Sequence, residues 1–338
     1  MGKNKRAILI IASLIIFLIF NIAINLVSGS VDFTLKDLKD ILLKNRELST
    51  LEYNILYKIR IPRIVSGLLY GGALGISGFL LQTFFRNPIV GPYVLGVSSG
   101  ARFFVGIFLL TNFSLKVFQA GVLGIFIASF VGSLLAMLLV LLFAQKVNDI
   151  SKLVVVGIML GYIASAGTNL MITFAEYEKI ASLTLWSMGS FSGITWDMIK
   201  FSFIIIIPTV ILTFLLSKPL EGYLLGEGYA RSMGINIKTF RIILIALSSM
   251  LSACVTAFAG PISFVGIAVP HLPMLMMKTS QPKARIPVIF LLGSSFCLLA
   301  DYFARAIFSP IELNISTVTS FIGAPIVIYM MVNRRKVI

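Results

Sequence analysis

The chain has 338 residues, of which 58% are hydrophobic and only 12% charged, and its mean hydropathy is +1.00. No soluble core of ordinary proportions hides that much apolar surface, so a water-soluble enzyme or binding module is excluded and a polytopic membrane protein is indicated. The net charge of +15 is not gathered on one face interleaved with aromatics, so nucleic acid is not a predicted partner.

A hydrocarbon slab about 30 Å thick asks for apolar runs of roughly 17 to 25 residues. In chain order about ten such runs occur, at 7–28, 61–84, 93–111, 118–144, 152–174, 198–217, 240–259, 262–277, 286–306 and 314–332. The predicted fold class is therefore all-α, one transmembrane domain over 1–338. The first run follows Lys3, Lys5 and Arg6, a pattern that also suits a secretory signal peptide. It is long, however, and no small-x-small cleavage site closes it, so it reads as a retained anchor.

With the N-terminus inside, one set of connections collects Lys3, Lys5, Arg6, Arg86, Lys146, Lys152, Lys218, Arg231, Lys238, Arg241, Lys278, Lys283, Arg285, Arg334, Arg335 and Lys336. Only Asp149, Glu221 and Glu227 oppose them, and the other side is nearly balanced. This positive-inside pattern predicts a multi-pass protein of the bacterial cytoplasmic membrane with both termini cytoplasmic and an even number of spans.

Two polar stretches exceed the length of turns. The outward one, 29–58, scatters Phe33, Leu35, Leu38, Ile41, Leu42 and Leu43 among alternating charges and reads as an amphipathic helix on the outer surface. The cytoplasmic one, 218–241, is cut into short helical pieces by Gly222, Gly226, Gly228 and Gly234. Its Leu220, Tyr223, Leu224, Leu225, Tyr229, Met233, Ile235 and Ile237 are too apolar for a free loop and suit docking onto a partner.

Within the runs, Gly67, Gly71 and Gly75, and again Gly124, Ala128 and Gly132, recur every four residues, which lets helix backbones touch. The stretch "RNPIVGPYVLGVSSGA" from Arg86 to Ala101 breaks this apolar regularity with prolines, glycines and polar groups. Residues 75–96 and 257–275 share small residues, an interruption and a proline before a new apolar run. They lie five predicted spans apart, so the second copy is inverted in the membrane, as in transporters built from inverted repeats with broken helices. Backbone freed at membrane depth must face protein or a water-filled cavity, which makes both stretches candidates to line a route.

No G-x-x-x-x-G-K-[ST] occurs, so any ATPase is a separate subunit. Cys254 and Cys297 fall inside runs and suggest no disulfide. His271 is the one histidine, leaving no side-chain set for zinc or iron and no base beside a nucleophile; it reads as structural. Asp301 and Arg305, four apart, read as an intrahelical pair. Arg102 has no acid at helical spacing, so it either faces a water-filled cavity or pairs across helices. Scarce membrane carboxylates argue against an ion-coupled carrier.

Six segments carry a resemblance: "RIPR" at 60–63, "SGFLLQTFFRNPIVGPYVLGVSSGA" at 77–101, "LGEGYARSMGIN" at 225–236, "GPISFVGIAVPH" at 260–271, "LLADYFAR" at 298–305 and "PIELNISTVTSFIGAPIVIYMM" at 310–331. In this order they resemble the permease subunits of bacterial type II ABC importers for iron chelates, haem and cobalamin. The resemblance implies a ten-helix subunit paired with a second copy or a paralogue, two cytoplasmic ATPase subunits that hold ATP and magnesium, and an extracytoplasmic substrate-binding protein. It implies no cofactor bound by this chain. It assigns Arg60, Arg63 and Arg305 to docking of the binding protein, and Gly226, Glu227, Ala230, Arg231 and Gly234 to ATPase coupling. Asn87, Pro88, Gly96, Arg102, Gly260 and Pro261 are the candidates to line the path. Three positions depart from the family: Met274 in place of an arginine, Arg102 in place of a small or apolar residue, and Gly228 in place of an acid.

Overall fold

A computed structural model describes residues 3–29, 33, 34, 37, 41, 49–111, 122–144, 150–277 and 279–332. Among the described residues the architecture is all-helical: α1 (Lys3–Val27), α2 (Thr50–Tyr53), α3 (Ile61–Phe85), α4 (Val97–Leu110), α5 (Val122–Ala144), α6 (Ile150–Thr173), α7 (Tyr177–Ser187), α8 (Trp196–Leu215), α9 (Ser217–Leu225), α10 (Glu227–Ser232), α11 (Ile237–Ala259), α12 (Val265–Ala268), α13 (Leu272–Met277), α14 (Pro282–Ala306) and α15 (Ile315–Val332).

The central element is α3, buried along almost its whole length between α11 and α14. Its small residues make that position possible. An added Cβ at Gly71 would run into the Gly293 carbonyl, one at Gly67 would strike Leu298, and one at Gly75 would touch Ile289, all on α14. The second glycine row works in the same way, with Gly124 under Phe108 and Gly132 against Gly100 where α5 meets α4. Around this centre α1, α6 and α15 leave most of their apolar surface uncovered, as helices facing lipid or a second subunit do.

Three boundaries differ from those read in the sequence. The predicted third and eighth spans are not full helices. Among the described residues eight helices are long and apolar enough to cross a membrane, and the other two runs become the short α4 and the broken series α12, a 3₁₀ turn at Val269–His271, and α13. Positive φ at Gly96 (81°), Gly260 (70°) and Phe264 (64°) forces these breaks. Second, helix begins at Thr50, not 61. Ser49 and Glu52 form a reciprocal capping box (Ser49 N to Glu52 Oε2, 2.9 Å; Glu52 N to Ser49 Oγ, 3.2 Å), and a π-helical stretch, Asn54–Arg60, runs straight into α3. Most of the predicted outward amphipathic helix lies outside the described residues; Phe33 is buried, its ring 5.0 Å beneath the Arg60 guanidinium. Third, α7 occupies a stretch that the hydropathy pattern left as a connection.

Candidate functional site

The two interrupted segments lie against each other. Gln82, near the end of α3, donates through Nε2 to the carbonyls of Gly266 and Ile267 at 3.3 and 3.1 Å. The Tyr93 hydroxyl oxygen accepts from the Ile262 N–H and from Thr256 Oγ1, both at 3.3 Å. Gly78 has no room for a side chain because the Gly266 carbonyl sits there. The second break is tied further by Ser190 N to Ala259 O (2.8 Å) and Ser316 Oγ to Pro261 O (2.5 Å). Backbone freed by glycine and proline is thus satisfied by protein, as the interior of a membrane requires.

Ser316 also borders an open groove of about 610 Å³ along α15, lined with Thr317, Ser320, Phe321 and Ala324. Of its hydroxyls, Ser316 donates to the Pro261 carbonyl and Ser320 to the Ser316 carbonyl at 2.6 Å. Of the six candidate path residues, Pro261 touches a wall of this groove, with Gly260 beside it. Gly96 instead closes α4 onto Gly157 and Gly161 of α6, while Asn87 and Pro88 lie at the far end of α3, next to Arg86. The six do not converge on one surface of the single chain. Arg102 is partly exposed on α4; among the described residues it has no ion pair or hydrogen bond, and its Nε is buried without a partner.

The arginines at the start of α3 form a buried network. Arg63, 7% exposed, donates through Nε to both oxygens of Asp301 at 2.9 and 3.0 Å and through Nη1 to Glu312 at 3.1 and 3.2 Å. Arg305 lies 3.3 Å from Asp301, donates to the Ser28 carbonyl at 3.0 Å and bonds the Asn25 side chain. Arg60, 5% exposed, donates to the carbonyls of Leu26 and Val27 at 2.5 and 3.1 Å. All three guanidinium groups are therefore engaged inside the chain, at the positions where the resemblance implied outward cations that meet a binding protein. Asp301 serves Arg63 as well as Arg305, so the intrahelical pair is one edge of a larger cluster. Glu312 was not singled out in the sequence, although an acid in a short loop of a basic chain is a legible signal.

At the other end of α3, roughly 37 Å away for 25 helical residues, α9 and α10 form a short hairpin. Gly226 (φ 129°) and Gly234 (φ 80°) make its turns; Gly222 and Gly228 are inside helices, so only two of the four glycines break the segment. Residues 237–241 belong to α11. Leu220, Tyr223 and Ala230 are fully buried beneath the hairpin, while Leu224, Leu225, Tyr229, Arg231 and Met233 are exposed. Burial pushes the Tyr223 phenol above its ordinary pKa, with Arg241 pulling the other way, and the protonated hydroxyl lies 3.5 Å from Glu227 Oε1. Glu227 also accepts from Arg241 at 2.5 Å and lies 3.8 Å from Arg86. This clustering of Arg86, Tyr223 and Arg241 about one carboxylate has no signature in sequence spacing.

Residues 14–333 match the FecCD transport family. The chain belongs to that family. Among curated proteins, this FecCD chain is 32% identical over 285 residues to the molybdate import system permease MolB of Haemophilus influenzae, covering 83% of this chain and 81% of MolB. It is 30% identical over 295 residues to the hemin transport system permease HmuU of Yersinia pestis, covering 87% and 88%. Among solved structures, one described as a metal-chelate type ABC transporter in an inward-facing conformation superposes with a TM-score of 0.83 at 28% identity, over 96% of this chain and 99% of that one. The protein is thus a FecCD-family transport permease, and the resemblance read from its six motifs holds across nearly the whole chain.

Proposed function

We propose that this FecCD chain is the transmembrane subunit of an ATP-driven importer that moves a metal chelate, with a ferric siderophore as the leading cargo, across the bacterial cytoplasmic membrane by alternating access. The observation that carries the reading is the α9–α10 hairpin: its base is anchored by buried Leu220, Tyr223 and Ala230, and its outer face leaves Leu224, Leu225, Tyr229 and Met233 uncovered beside Arg231. Such a face suits the groove of a partner subunit, here two ATPase subunits that hold ATP and magnesium. Both termini then lie in the cytoplasm. A second copy or a paralogue completes the permease, and this chain itself holds no cofactor.

At the opposite end an extracytoplasmic binding protein docks. Arg60, Arg63 and Arg305 remain the candidates to meet its acidic residues, and charge complementarity of that kind sets encounter rate and register. Because these arginines are buried, such a contact requires them to exchange intramolecular partners, and Glu312, with a side chain 48% exposed, is the partner most easily displaced. Haem and cobalamin are alternative cargoes for the same scaffold. The test is uptake of labelled ferric siderophores, haem and cobalamin by cells with and without the gene. Loss of one compound, restored by the gene and not by an Arg231→Glu version, supports the reading. Unchanged uptake of every compound contradicts it.

A further inference from the structure

Arg86 holds φ at +47°, one of two non-glycine residues among the described ones with positive φ, at the C-cap of α3 where the first broken segment begins. A left-handed cap favours glycine or asparagine, so an arginine there points to a use for its side chain. That side chain crosses to the hairpin. Its guanidinium lies 5.3 Å from the centre of the Tyr223 ring and 3.8 Å from Glu227 Oε1. Glu227 opens α10 and simultaneously binds Arg241 near the start of α11. One carboxylate therefore links the hairpin to α3 and α11, the two helices that lead into the two broken segments.

From this geometry we propose that Arg86 is a positioning residue that carries displacement of the α9–α10 hairpin into the 86–96 segment; the proposal rests on the importer reading. The route is continuous: Glu227 to Arg86, Arg86 to the segment it caps, and Tyr93 of that segment to Ile262 and Thr256. The Arg86 and Glu227 side chains are 45% and 24% exposed, so their contact is solvent-screened and able to break and re-form during a cycle. The Arg63–Asp301 pair, with side chains 8% and 2% exposed, is not.

The test uses the whole complex with its ATPase subunits in lipid nanodiscs, with a spin label on Ile89→Cys. Ile89 is 36% exposed in the 86–96 segment, and the native Cys254 and Cys297 are buried. The label spectrum is compared with and without Mg·ATP and vanadate. The expected result is a clear change in the parent complex and a change reduced about five-fold or more, the lower range of ordinary coupling factors, in Arg86→Met with the ATPase subunits still bound. Arg86→Lys restores most of it, which loss of folding alone would not allow. If Arg86→Met does not assemble, Arg86→Lys and Glu227→Gln are compared: a response kept by the first and lost by the second supports the proposal, and one kept by both overturns it. An undiminished response in an assembled Arg86→Met complex overturns it and leaves the importer reading intact. A parent complex that retains no ATPase subunit removes the importer reading, and this proposal with it.

Discussion

Ser77 and Ser248 donate to each other's carbonyl oxygens where α3 crosses α11, at 2.9 and 3.0 Å, with their hydroxyl oxygens 2.8 Å apart. A reciprocal contact of this kind is what elements related by a two-fold axis make, and the two helices each lead into a broken segment. Replacing either serine by alanine is expected to lower stability by about 1 kcal/mol. The double replacement should lower it by less than the sum of the two, because neither hydroxyl is left facing an empty partner. Thermal unfolding in detergent measures all three.

The Arg63 cluster predicts an unequal pair of outcomes. Asp301→Ala leaves the buried Arg63 only half-exposed Glu312 and weakens Arg305, and removal of one partner from a buried ion pair costs about 3–5 kcal/mol. Glu312→Gln touches a half-exposed group and should cost less than about 1 kcal/mol. Unfolding midpoints of the two variants, with yield of monodisperse protein, check the ranking.

Two glycine replacements separate packing from flexibility. Gly78→Ala drives a methyl group into the Gly266 carbonyl, and overpacking of this sort costs about 1–3 kcal/mol or more. Gly228→Ala, with nothing within 4 Å of an added Cβ, should leave folding unchanged or raise helix stability by up to about 1 kcal/mol. Unfolding temperatures in detergent should fall for the first and hold or rise for the second.

Among the described residues Arg102 is an unpaired cation on α4, costly enough in a membrane to imply a use. If it meets cargo, Arg102→Ala weakens uptake of anionic compounds several-fold while uptake of a neutral one and assembly with the ATPase subunits are retained. Equal loss for both cargo types would assign Arg102 to packing.

What was legible in the sequence followed from solvent physics. Apolar runs must hide backbone in helices, so α1, α5, α6, α8, α11, α14 and α15 were visible, and the glycine rows on α3 and α5 announced close contacts that the fold contains. Gly96, Gly260 and the nearby prolines marked two interruptions, but hydropathy alone could not tell a full span from a short helix, so α4 and α12–α13 read as spans. Arg63 and Asp301 are far apart in sequence, and no local spacing brings them together; only the Asp301–Arg305 edge of that cluster was legible. The same holds for Glu227, whose partners come from α3, α9 and α11. Tertiary closure supplies the rest of both clusters.

The central claim is that ATP, acting through the α9–α10 hairpin, drives cargo through this chain. The direct measurement is uptake by proteoliposomes that hold the permease, its ATPase subunits and binding protein, with labelled ferric siderophore, haem and cobalamin offered outside, and Mg·ATP inside. Accumulation of one compound that requires internal ATP, persists without any ion gradient and disappears in Arg231→Glu is the predicted result. Accumulation that follows a proton or sodium gradient and is indifferent to ATP would contradict the account.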